Sequence, residues 1–408
     1  MNNIQKIANT CLKCQNARCQ TACPIQMPIP KILSYLEQGL EEEAWQEIMK
    51  TTNMGFLCGY LCDHGRGCAS GCLKGLKGEP VPFYLVEQAL SDRYYQEYFQ
   101  NLPTNTGYRV AIIGGGVCGI SAAMSLIKAG IYPTIFEKTD HLGGVVTTSL
   151  PSFRYDKTIF NKVIETLLAS GVTVKYEMTY GNNLLNQDLK DFDEIIMAYG
   201  SEINRTVLSK NLVYQGLDLL RDSQKGLSIK NQNILVLGGG NVACDVARTL
   251  KRMGNHVTIV YRRDLANSPA SHLELQLAKT DGVMFQECLS PVEVITNQNA
   301  QVEGLKVEVM HLYNDGSSRL NFDKTGEFQT IPCTMIVEAL GSKVDYQYLK
   351  ANYPKLFNES GYPVANEDLT TIYPHLYIGG DAYTGPASFA KAMLAGKKIA
   401  QAIIKKHQ

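Results

Sequence analysis

Eight cysteines crowd the first 72 residues of this 408-residue chain, at spacings that suit a metal or a metal cluster. They are Cys11, Cys14, Cys19, Cys23, Cys58, Cys62, Cys68 and Cys72. Thiolates are soft ligands that hold iron–sulfur clusters or zinc, whereas disulfides are rare in reducing compartments. The first run reads Cys-x2-Cys-x4-Cys-x3-Cys-Pro, and this final proline is typical of two-cluster ferredoxins. The pattern favours iron–sulfur clusters, with structural zinc as the alternative.

A glycine-rich turn follows the apolar strand YRVAII and precedes the helix ISAAMSLIKAG. Gly114, Gly116 and Gly119 give it the form G-x-G-x-x-G, in which the backbone can approach a pyrophosphate at the helix N-terminus. Glu137 ends the next strand, where a carboxylate can accept the hydroxyl groups of a ribose. The pattern predicts a first dinucleotide site.

A second turn of the same kind lies in NILVLGGGNVACDVARTLKRMG. Gly238, Gly240 and Ala243 occupy the turn positions, and a tyrosine replaces the acidic residue at the end of the next strand. Arg262 and Arg263 follow directly. Two guanidinium groups in place of a carboxylate suit a 2′-phosphate, because arginine binds phosphate through paired, charge-assisted hydrogen bonds. The sequence therefore predicts NADPH at this site, with NADH possible.

The elements that position these residues fall into two kinds. Within about the first 105 residues, apolar side chains recur at helical spacing, for example at Ile32, Leu36 and Ile48, which predicts helices with one buried face. From Tyr108 onward the strand, glycine turn, helix and strand order appears twice, with the second copy beginning at Asn233. The predicted fold class is α/β with a helical N-terminal segment.

Composition excludes several classes of protein. Lys and Arg number 39 and Asp and Glu number 39, so the chain lacks the basic excess typical of nucleic-acid binders. No stretch approaches the roughly 20 apolar residues of a membrane span, and the first residues do not form a secretory signal, so we expect a cytoplasmic protein. Beyond the first segment there is no Cys-x-x-Cys, which disfavours a dithiol mechanism and predicts that Cys118 and Cys244 are buried helix residues.

Taken together, these motifs resemble the glutamate synthase small-subunit and dihydropyrimidine dehydrogenase flavoprotein family over essentially the whole chain. The resemblance rests on CLKCQNARCQTACP, LCGYLCDHGRGCASGC, GGGVCG, IFEKTDHLGG, LPSFR, GGGNVACDVARTLKRMG, VTIVYRR and IGGDAYTG. It implies an α-helical domain with two [4Fe–4S] clusters over 1–105, followed by two interleaved Rossmann-like domains. The FAD domain would comprise 106–228 and 342–408, and the NAD(P)H domain 229–341.

The resemblance also implies ligands and contacts. One cluster would use Cys11, Cys14, Cys19 and Cys72, and the other Cys23, Cys62, Cys68 and Glu87. Cys58 is then left over, and an exchange of Cys58 for Glu87 stays open. Beyond the turn glycines, the further cofactor-binding residues would be Gly143, Gly144, Val145, Arg154, Asn241, Val242, Gly341, Gly380, Asp381, Ser388 and Phe389, with Asp381 bonded to the ribityl chain of FAD.

The implied activity is transfer of a hydride from NADPH to FAD and then of single electrons through the two clusters to a catalytic partner subunit. The chain lacks room for the FMN barrel that reduces the final substrate in these families. No side chain need act as an acid or base, so we assign no catalytic residue. The Cys62-x5-Cys68 spacing favours a dihydropyrimidine dehydrogenase flavoprotein subunit, with a glutamate synthase small subunit as the alternative. A zinc-stapled, redox-inert nucleotide-binding scaffold is a second alternative.

Overall fold

The structure, a computed structural model, describes residues 2–201, 203–209, 211–313 and 321–407, apart from the side chains at 97 and 98. The chain divides into two compact units. The first comprises Met1–Thr147, Ser152–Glu202 and Val344–Gln408, and the second comprises Thr148–Pro151 and Ile203–Lys343. The first unit is therefore interrupted along the chain by the second. The domain boundaries drawn from the sequence at 105, 228 and 341 stay predictions.

The N-terminal segment is helical, as predicted. Its helices are α1 (Asn3–Ala8), α2 (Arg18–Ala22), α3 (Ile29–Glu37), α4 (Glu41–Thr51), α5 (Gly55–Leu61) and α6 (Phe83–Tyr94). The side chains of Ile32, Leu36 and Ile48 are fully buried, which confirms the apolar stripe seen in the sequence. Asn2 caps α1, since its side chain accepts a hydrogen bond from the backbone N–H of Gln5.

The α/β part of the first unit begins at residue 110. Its elements are β1 (Val110–Ile113), α7 (Val117–Ile127), β2 (Thr134–Phe136), α8 (Val145–Thr148), α9 (Thr158–Ala169), β3 (Thr173–Lys175) and β4 (Glu194–Met197). Strands β1, β2, β3 and β4 are parallel to their neighbours. The four residues of β1 and the four of β4 are all buried, as expected for a parallel sheet covered on both faces.

The second unit carries its own parallel sheet. Its elements are β5 (Ile203–Asn204), β6 (Tyr214–Gln215), α10 (Gly216–Gln224), β7 (Asn233–Leu237), α11 (Asn241–Arg252), β8 (His256–Val260), α12 (His272–Thr280), β9 (Met284–Gln286), β10 (Leu289–Thr296), β11 (Val302–Tyr313), β12 (Asn321–Pro332), β13 (Met335–Glu338) and β14 (Ser342–Lys343). The parallel sheet has the order β6-β13-β7-β8-β9, and β10, β11 and β12 form a separate antiparallel sheet. Strands β5 and β14 pair as a short antiparallel ribbon.

The chain then returns to the first unit. It adds α13 (Gln347–Asn352), β15 (Leu376–Ile378), α14 (Asp381–Thr384) and α15 (Phe389–His407). Strand β15 completes a five-stranded parallel sheet of order β15-β4-β1-β2-β3. The strand order reverses at β1 and β4 here and at β7 and β13 in the second unit, and ligands bind at such reversals in open α/β sheets. Among the described residues, no helix is long and apolar enough to cross a membrane.

Buried polar contacts join the helical segment to the sheet part of the first unit. Asn53, between α4 and α5, is 1% exposed and donates hydrogen bonds from Nδ2 to the Ser121 carbonyl and to Ser125 Oγ, at 2.7 and 2.8 Å. Lys397 of α15 is 8% exposed and donates from Nζ to the carbonyls of Met49 and Lys50. These carbonyls lie in the last turn of α4, where a helix favours a cation.

Replacing Lys397 by methionine should lower the free energy of unfolding by about 2 kcal/mol, because two buried carbonyls lose their donor. Burial also lowers the pKa of Lys397 to about 8. Since an unfolded lysine has a pKa of about 10.4, the unfolded chain binds more protons between pH 8 and 10, and stability should rise with pH in that window. Urea unfolding midpoints of the wild type and of Lys397→Met at pH 8 and at pH 10 would measure the loss of stability and its pH dependence.

The matched control is Lys398→Met, because Lys398 is the exposed neighbour of Lys397 on the same helix. This variant should keep both the stability and the pH-dependent rise of the wild type. If Lys397→Met kept the same rise, Lys397 would not be its source.

Candidate functional site

Two cavities in the helical segment divide the eight clustered cysteines. Cys11, Cys14, Cys19 and Cys72 line the first cavity, together with Arg18 and Lys74. Cys72 belongs to the second group of cysteines in the sequence but lies at the first cavity, and Gly71 explains why. A Cβ at Gly71 would lie 2.4 Å from the carbonyl oxygen of Arg18, so only glycine permits this approach of the two segments.

The second cavity is lined by Cys23, Cys58, Cys62, Cys68 and Glu87. Cys68 also lines the first cavity and therefore lies between the two. Burial raises the pKa of the Cys62 thiol to about 12, and the neighbouring Glu87 adds to the effect. The pKa of Glu87 is itself raised well above its ordinary value by burial, since this carboxyl group is only 3% exposed.

Cys58 and Glu87, the two candidates for the fourth ligand of the second cluster, both line the second cavity. Cys58 is 4% exposed and lies on α5, while Glu87 lies on α6. The side chain of Gln88, next to Glu87, donates a 2.8 Å hydrogen bond to the Gly59 carbonyl, next to Cys58. The cavity thus offers five possible ligands for the four corners of one cluster, and the choice between Cys58 and Glu87 stays open.

The donor sets fit iron–sulfur clusters. Backbone N–H groups of Ile25, Gln26 and Met27 face the Cys23 sulfur and favour its thiolate form, although burial is the larger effect and raises the pKa. The N–H of Lys13 donates to the Cys11 sulfur at 3.5 Å. Within the described part of the chain, no three His, Cys, Asp or Glu side chains lie close enough to hold a single metal ion. A four-iron cluster sets its ligands farther apart, because each ligand binds a different iron.

His64 also lines the second cavity, and the sequence prediction missed it. Its Nδ1 lies 3.5 Å from the Cys68 sulfur, and its ring packs against Tyr84 with a centroid distance of 5.2 Å. Its Nε2 is buried and has no partner that meets hydrogen-bond geometry among the residues that the structure describes, although the Cys58 backbone carbonyl lies near the ring. Its position between Cys62 and Cys68 was the only sequence signal for a role at the cavity. That position alone does not distinguish a cavity histidine from a surface histidine.

The first glycine turn lies at the reversal of the sheet in the first unit. Gly114 follows β1 with φ of +106°, and a Cβ there would lie 2.5 Å from the Ala198 carbonyl oxygen, just past β4. A Cβ at Gly119 would lie 2.0 Å from the Gly114 carbonyl oxygen. Both positions therefore require glycine, and Gly116 caps the N-terminus of α7. The turn leaves the N–H groups of α7 facing the site predicted for a pyrophosphate.

Glu137 and the paired glycines lie against this turn. The Gly115 N–H donates to Glu137 Oε2 at 2.7 Å, and the Gly143 N–H donates to the Gly115 carbonyl at 2.8 Å. The other carboxylate oxygen accepts hydrogen bonds from the backbone and hydroxyl of Thr139. Glu137 is 5% exposed, and its Oε2, which accepts one hydrogen bond here, keeps a lone pair for a ribose hydroxyl. Gly144 lies beside Gly116, at the distance of a direct contact.

Asp381 joins the same region from the far end of the chain. It begins α14, directly after Gly380, which packs against Cys118 in the first turn of α7. One Asp381 oxygen accepts from the Ala387 N–H at 3.2 Å and the other from Ser201 Oγ at 3.3 Å. Burial raises the pKa of Asp381.

The remaining residues predicted along FAD lie in three places. Val145 begins α8 and is 49% exposed, and Arg154 is half-buried in the turn between α8 and α9. Ser388 and Phe389 lie at the start of α15, where Ser388 Oγ accepts from the Lys391 N–H at 3.4 Å. The next residue, Ala390, lines the second cysteine cavity. The start of α15 therefore links the predicted flavin region to that cavity.

The second glycine turn repeats the geometry in the second unit. Gly238 has φ of +144°, and a Cβ there would lie 2.4 Å from the Ala339 carbonyl oxygen, just past β13. At Gly240, by contrast, a Cβ would meet nothing within 4 Å, so the backbone is open to a ligand. Asn241 Oδ1 accepts from the Ser271 N–H at 2.9 Å, which fixes the first residue of α11. Gly341, past β13, has φ of +86°.

Three residues at the start of α11 pack in or against the core of the second unit. Ala243 and Cys244 are buried in the core of the second unit, and Val242 packs against that core. Cys118, in the first unit, is 4% exposed, and burial raises its pKa to about 12. The prediction that Cys118 and Cys244 are buried helix residues is confirmed, and neither is a reactive thiolate.

Arg262 and Arg263 follow β8 and share one aromatic partner. The guanidinium carbon of each lies 5.0 Å from the ring centroid of Phe322, on β12. Arg263 Nε is buried and lacks a hydrogen-bond partner within the described ranges. Phe322 was missed in the sequence, because no local motif connects it to residues about 60 positions earlier.

Two family models match the chain. The pyridine nucleotide-disulphide oxidoreductase model matches residues 108–396. The model described as dihydropyrimidine dehydrogenase domain II, 4Fe-4S cluster, matches residues 1–98. These ranges contain the two glycine turns and the eight clustered cysteines, respectively. The chain is thus similar to flavin- and nicotinamide-dependent oxidoreductases that carry an iron–sulfur domain.

Relatives with established names are similar to this chain over nearly its whole length. The chain is 27% identical to the glutamate synthase [NADPH] small chain of Escherichia coli K12, covering 97% of this chain and 90% of that protein. It is 29% identical to the NAD-dependent dihydropyrimidine dehydrogenase subunit PreT of the same organism, covering 98% and 93%. The match to the protein YgfK of E. coli O157:H7, at 29% identity, covers 96% of this chain but only 38% of that longer protein.

Solved structures show the same fold at lower identity. FprA of Mycobacterium tuberculosis, solved in complex with NADPH, superposes with a TM-score of 0.58 at 19% identity, covering 74% of this chain and 86% of that one. Thioredoxin reductase of Lactococcus lactis gives a TM-score of 0.58 at 21% identity, covering 73% and 98%. The predicted fold class, a helical iron–sulfur segment followed by Rossmann-like domains, is confirmed.

Proposed function

The chain belongs to the pyridine nucleotide-disulphide oxidoreductase family, and on that premise we propose that it is the electron-input subunit of a larger enzyme. In this role it oxidises NADPH and passes electrons singly, through two [4Fe–4S] clusters, to a catalytic partner. Its class, an NAD(P)H-dependent FAD and iron–sulfur oxidoreductase, follows from the two matched families. The preference for NADPH, the number of clusters and the partner are the proposal.

The division of the cysteines between two cavities carries this proposal. Five thiols line the first cavity of the helical segment and four line the second, with Cys68 counted at both, and Glu87 gives the second cavity a fifth donor. Apart from Cys68, each of the clustered cysteines lines only one cavity, and this division supports two clusters rather than one. Both cavities belong to the unit that contains the first glycine turn, so electron carriers and predicted flavin site share one compact body.

The residues of the chain bind and orient the cofactors. Bound FAD would accept two electrons together from NADPH and release them one at a time to the clusters. The cofactor, rather than a side chain, supplies this redox chemistry. The first glycine turn and Glu137 would hold the nucleotide half of FAD, and Asp381 would hold the ribityl chain. The Arg262 and Arg263 side chains would hold the 2′-phosphate of NADPH. The start of α15, with Ala390 at the second cavity, supports that cavity as the first stop for electrons.

The favoured partner is the catalytic subunit of a dihydropyrimidine dehydrogenase. The Cys62-x5-Cys68 spacing and the PreT relative, at 29% identity over nearly its whole length, support this choice. A glutamate synthase large subunit is the second candidate, supported by the 27% identical small chain. Both relatives are named as a subunit or chain of an enzyme, which supports a partner in either case.

Metal and flavin analysis of the purified chain tests the proposal. We expect about one FAD, with about eight iron atoms and eight acid-labile sulfides per chain. Zinc without labile sulfide would contradict it and favour the redox-inert scaffold. Co-purification from the native host with a tagged chain then separates the two partners, because the complex should either reduce a pyrimidine or form glutamate.

A further inference from the structure

His64 is the one residue of the second cavity whose chemistry the proposed function does not use. It lies between Cys62 and Cys68, and its Nδ1 is 3.5 Å from the Cys68 sulfur. Its Nε2 is buried without a hydrogen-bond partner among the described residues. A buried nitrogen without a hydrogen-bond partner is uncommon in proteins, so this arrangement calls for an explanation.

Coordination of Cys68 would fix the direction of the His64 hydrogen bond. A metal-bound thiolate carries no proton and can only accept, so Nδ1 must donate its N–H to the sulfur. The loop holds the ring in place for this contact. The His64 N–H donates to the Cys62 carbonyl at 3.0 Å, the Ala69 N–H donates to the His64 carbonyl at 3.0 Å, and Tyr84 packs against the ring.

The two cavities differ in the charges that surround the thiols. Arg18 and Lys74 line the first cavity, which contains no carboxylate among its described lining residues. The second cavity contains Glu87 and neither Arg nor Lys, so His64 is its one described side chain with an N–H donor. A more negative cluster is harder to reduce, and a hydrogen bond to a cluster sulfur counteracts this effect by withdrawing electron density.

We propose that His64 is a positioning residue that donates a hydrogen bond to the Cys68 sulfur and raises the reduction potential of the cluster in the second cavity. The inference rests on the proposed function, since it requires a cluster there. It gives the cavity that Ala390 lines, at the start of α15, its one described side-chain N–H donor to a cluster ligand, so that this cluster can accept electrons.

The test compares His64→Leu, which removes the donor, with His64→Gln, which keeps an N–H. The midpoint of each cluster is measured in the purified holoprotein by redox titration followed by electron paramagnetic resonance. In His64→Leu, the equilibrium constant for one-electron reduction of one cluster should fall about tenfold, which is a shift of about 59 mV to lower potential. His64→Gln should restore part of this shift, and the other cluster should not change. His256→Leu, which removes an exposed histidine of the second unit, is the matched control.

A second readout identifies the contact itself. In protein labelled with nitrogen-15 histidine, the reduced cluster should show a nitrogen coupling that His64→Leu abolishes. Unchanged midpoints in His64→Leu would overturn the inference, and so would loss of about half of the iron in both variants, because His64 would then hold the cluster rather than tune it. Wild-type protein without iron would instead refute the proposed function.

Discussion

Replacing Cys14 or Cys62 by alanine should remove one cluster in each case and leave the other, so that iron falls from about eight to about four atoms per chain. Cys14 lines only the first cavity and Cys62 only the second, so the two variants remove different clusters. NADPH-driven reduction of cytochrome c, a one-electron acceptor, should be largely lost in both, because the proposed route passes through the two clusters in series. Reduction of menadione, which can take electrons directly from flavin, should persist.

The matched control for these variants is Cys288→Ser. Cys288 is a half-buried thiol of the second unit and lies outside both cavities. It should keep full iron content and both activities. If Cys14→Ala and Cys62→Ala each lost all eight iron atoms, the two cavities would form a single site. If neither lost iron, the thiols would not be ligands.

Replacing Arg262 and Arg263 together by alanine should lower kcat/KM for NADPH by at least about 100-fold, while kcat/KM for NADH changes less than about threefold. Each charge-assisted hydrogen bond to a phosphate contributes about 1.5–3 kcal/mol, and the loss of two such bonds accounts for the fall in kcat/KM for NADPH. NADH lacks the 2′-phosphate and therefore loses no partner. Steady-state kinetics with both nucleotides, using menadione as acceptor, would measure the ratio.

Phe322 should contribute to the same preference. Its ring lies 5.0 Å from both guanidinium carbons, so Phe322→Leu removes a cation–π contact that positions the two arginines. A cation–π contact of about 0.5–1 kcal/mol predicts a loss of about two- to fivefold for NADPH. Arg252→Ala serves as the control, because Arg252 pairs with Asp281 at the other end of α11. Equal losses with NADPH and NADH in the double variant would refute the assignment of the 2′-phosphate site.

Local patterns predicted the parts of the site that depend on neighbouring residues. The turn glycines could be predicted because a positive φ at Gly114 or Gly238 and a tight contact at Gly119 exclude every side chain. Cysteine spacing indicated a cluster-binding segment in the same way. The division into two donor sets came from the resemblance, and the structure adds a physical reason for it, the approach of Gly71 to Arg18.

Contacts between distant segments could not be predicted from the sequence. Phe322 meets the two arginines only because the start of β12 lies near the residues that follow β8. Strand β12 is exposed at most of its positions, so it has no hydrophobic alternation to identify it. The contacts of Asn53 and Lys397 with distant backbone carbonyls likewise follow no spacing rule. The choice between Cys58 and Glu87 as the fourth cluster ligand stays open because both residues are buried beside the same cavity.

The contacts of Asn53 and Lys397 have a consequence for assembly. Because they bury polar groups of the helical segment against α7 and α15, separating the segment from the sheet would leave those groups without partners. Ligands that bind only the folded state stabilise everything that unfolds with it. We therefore expect iron supply and flavin retention to be thermodynamically linked, so that protein made under iron starvation releases its flavin more readily. Maturation of the two cofactor sites would then be cooperative rather than independent.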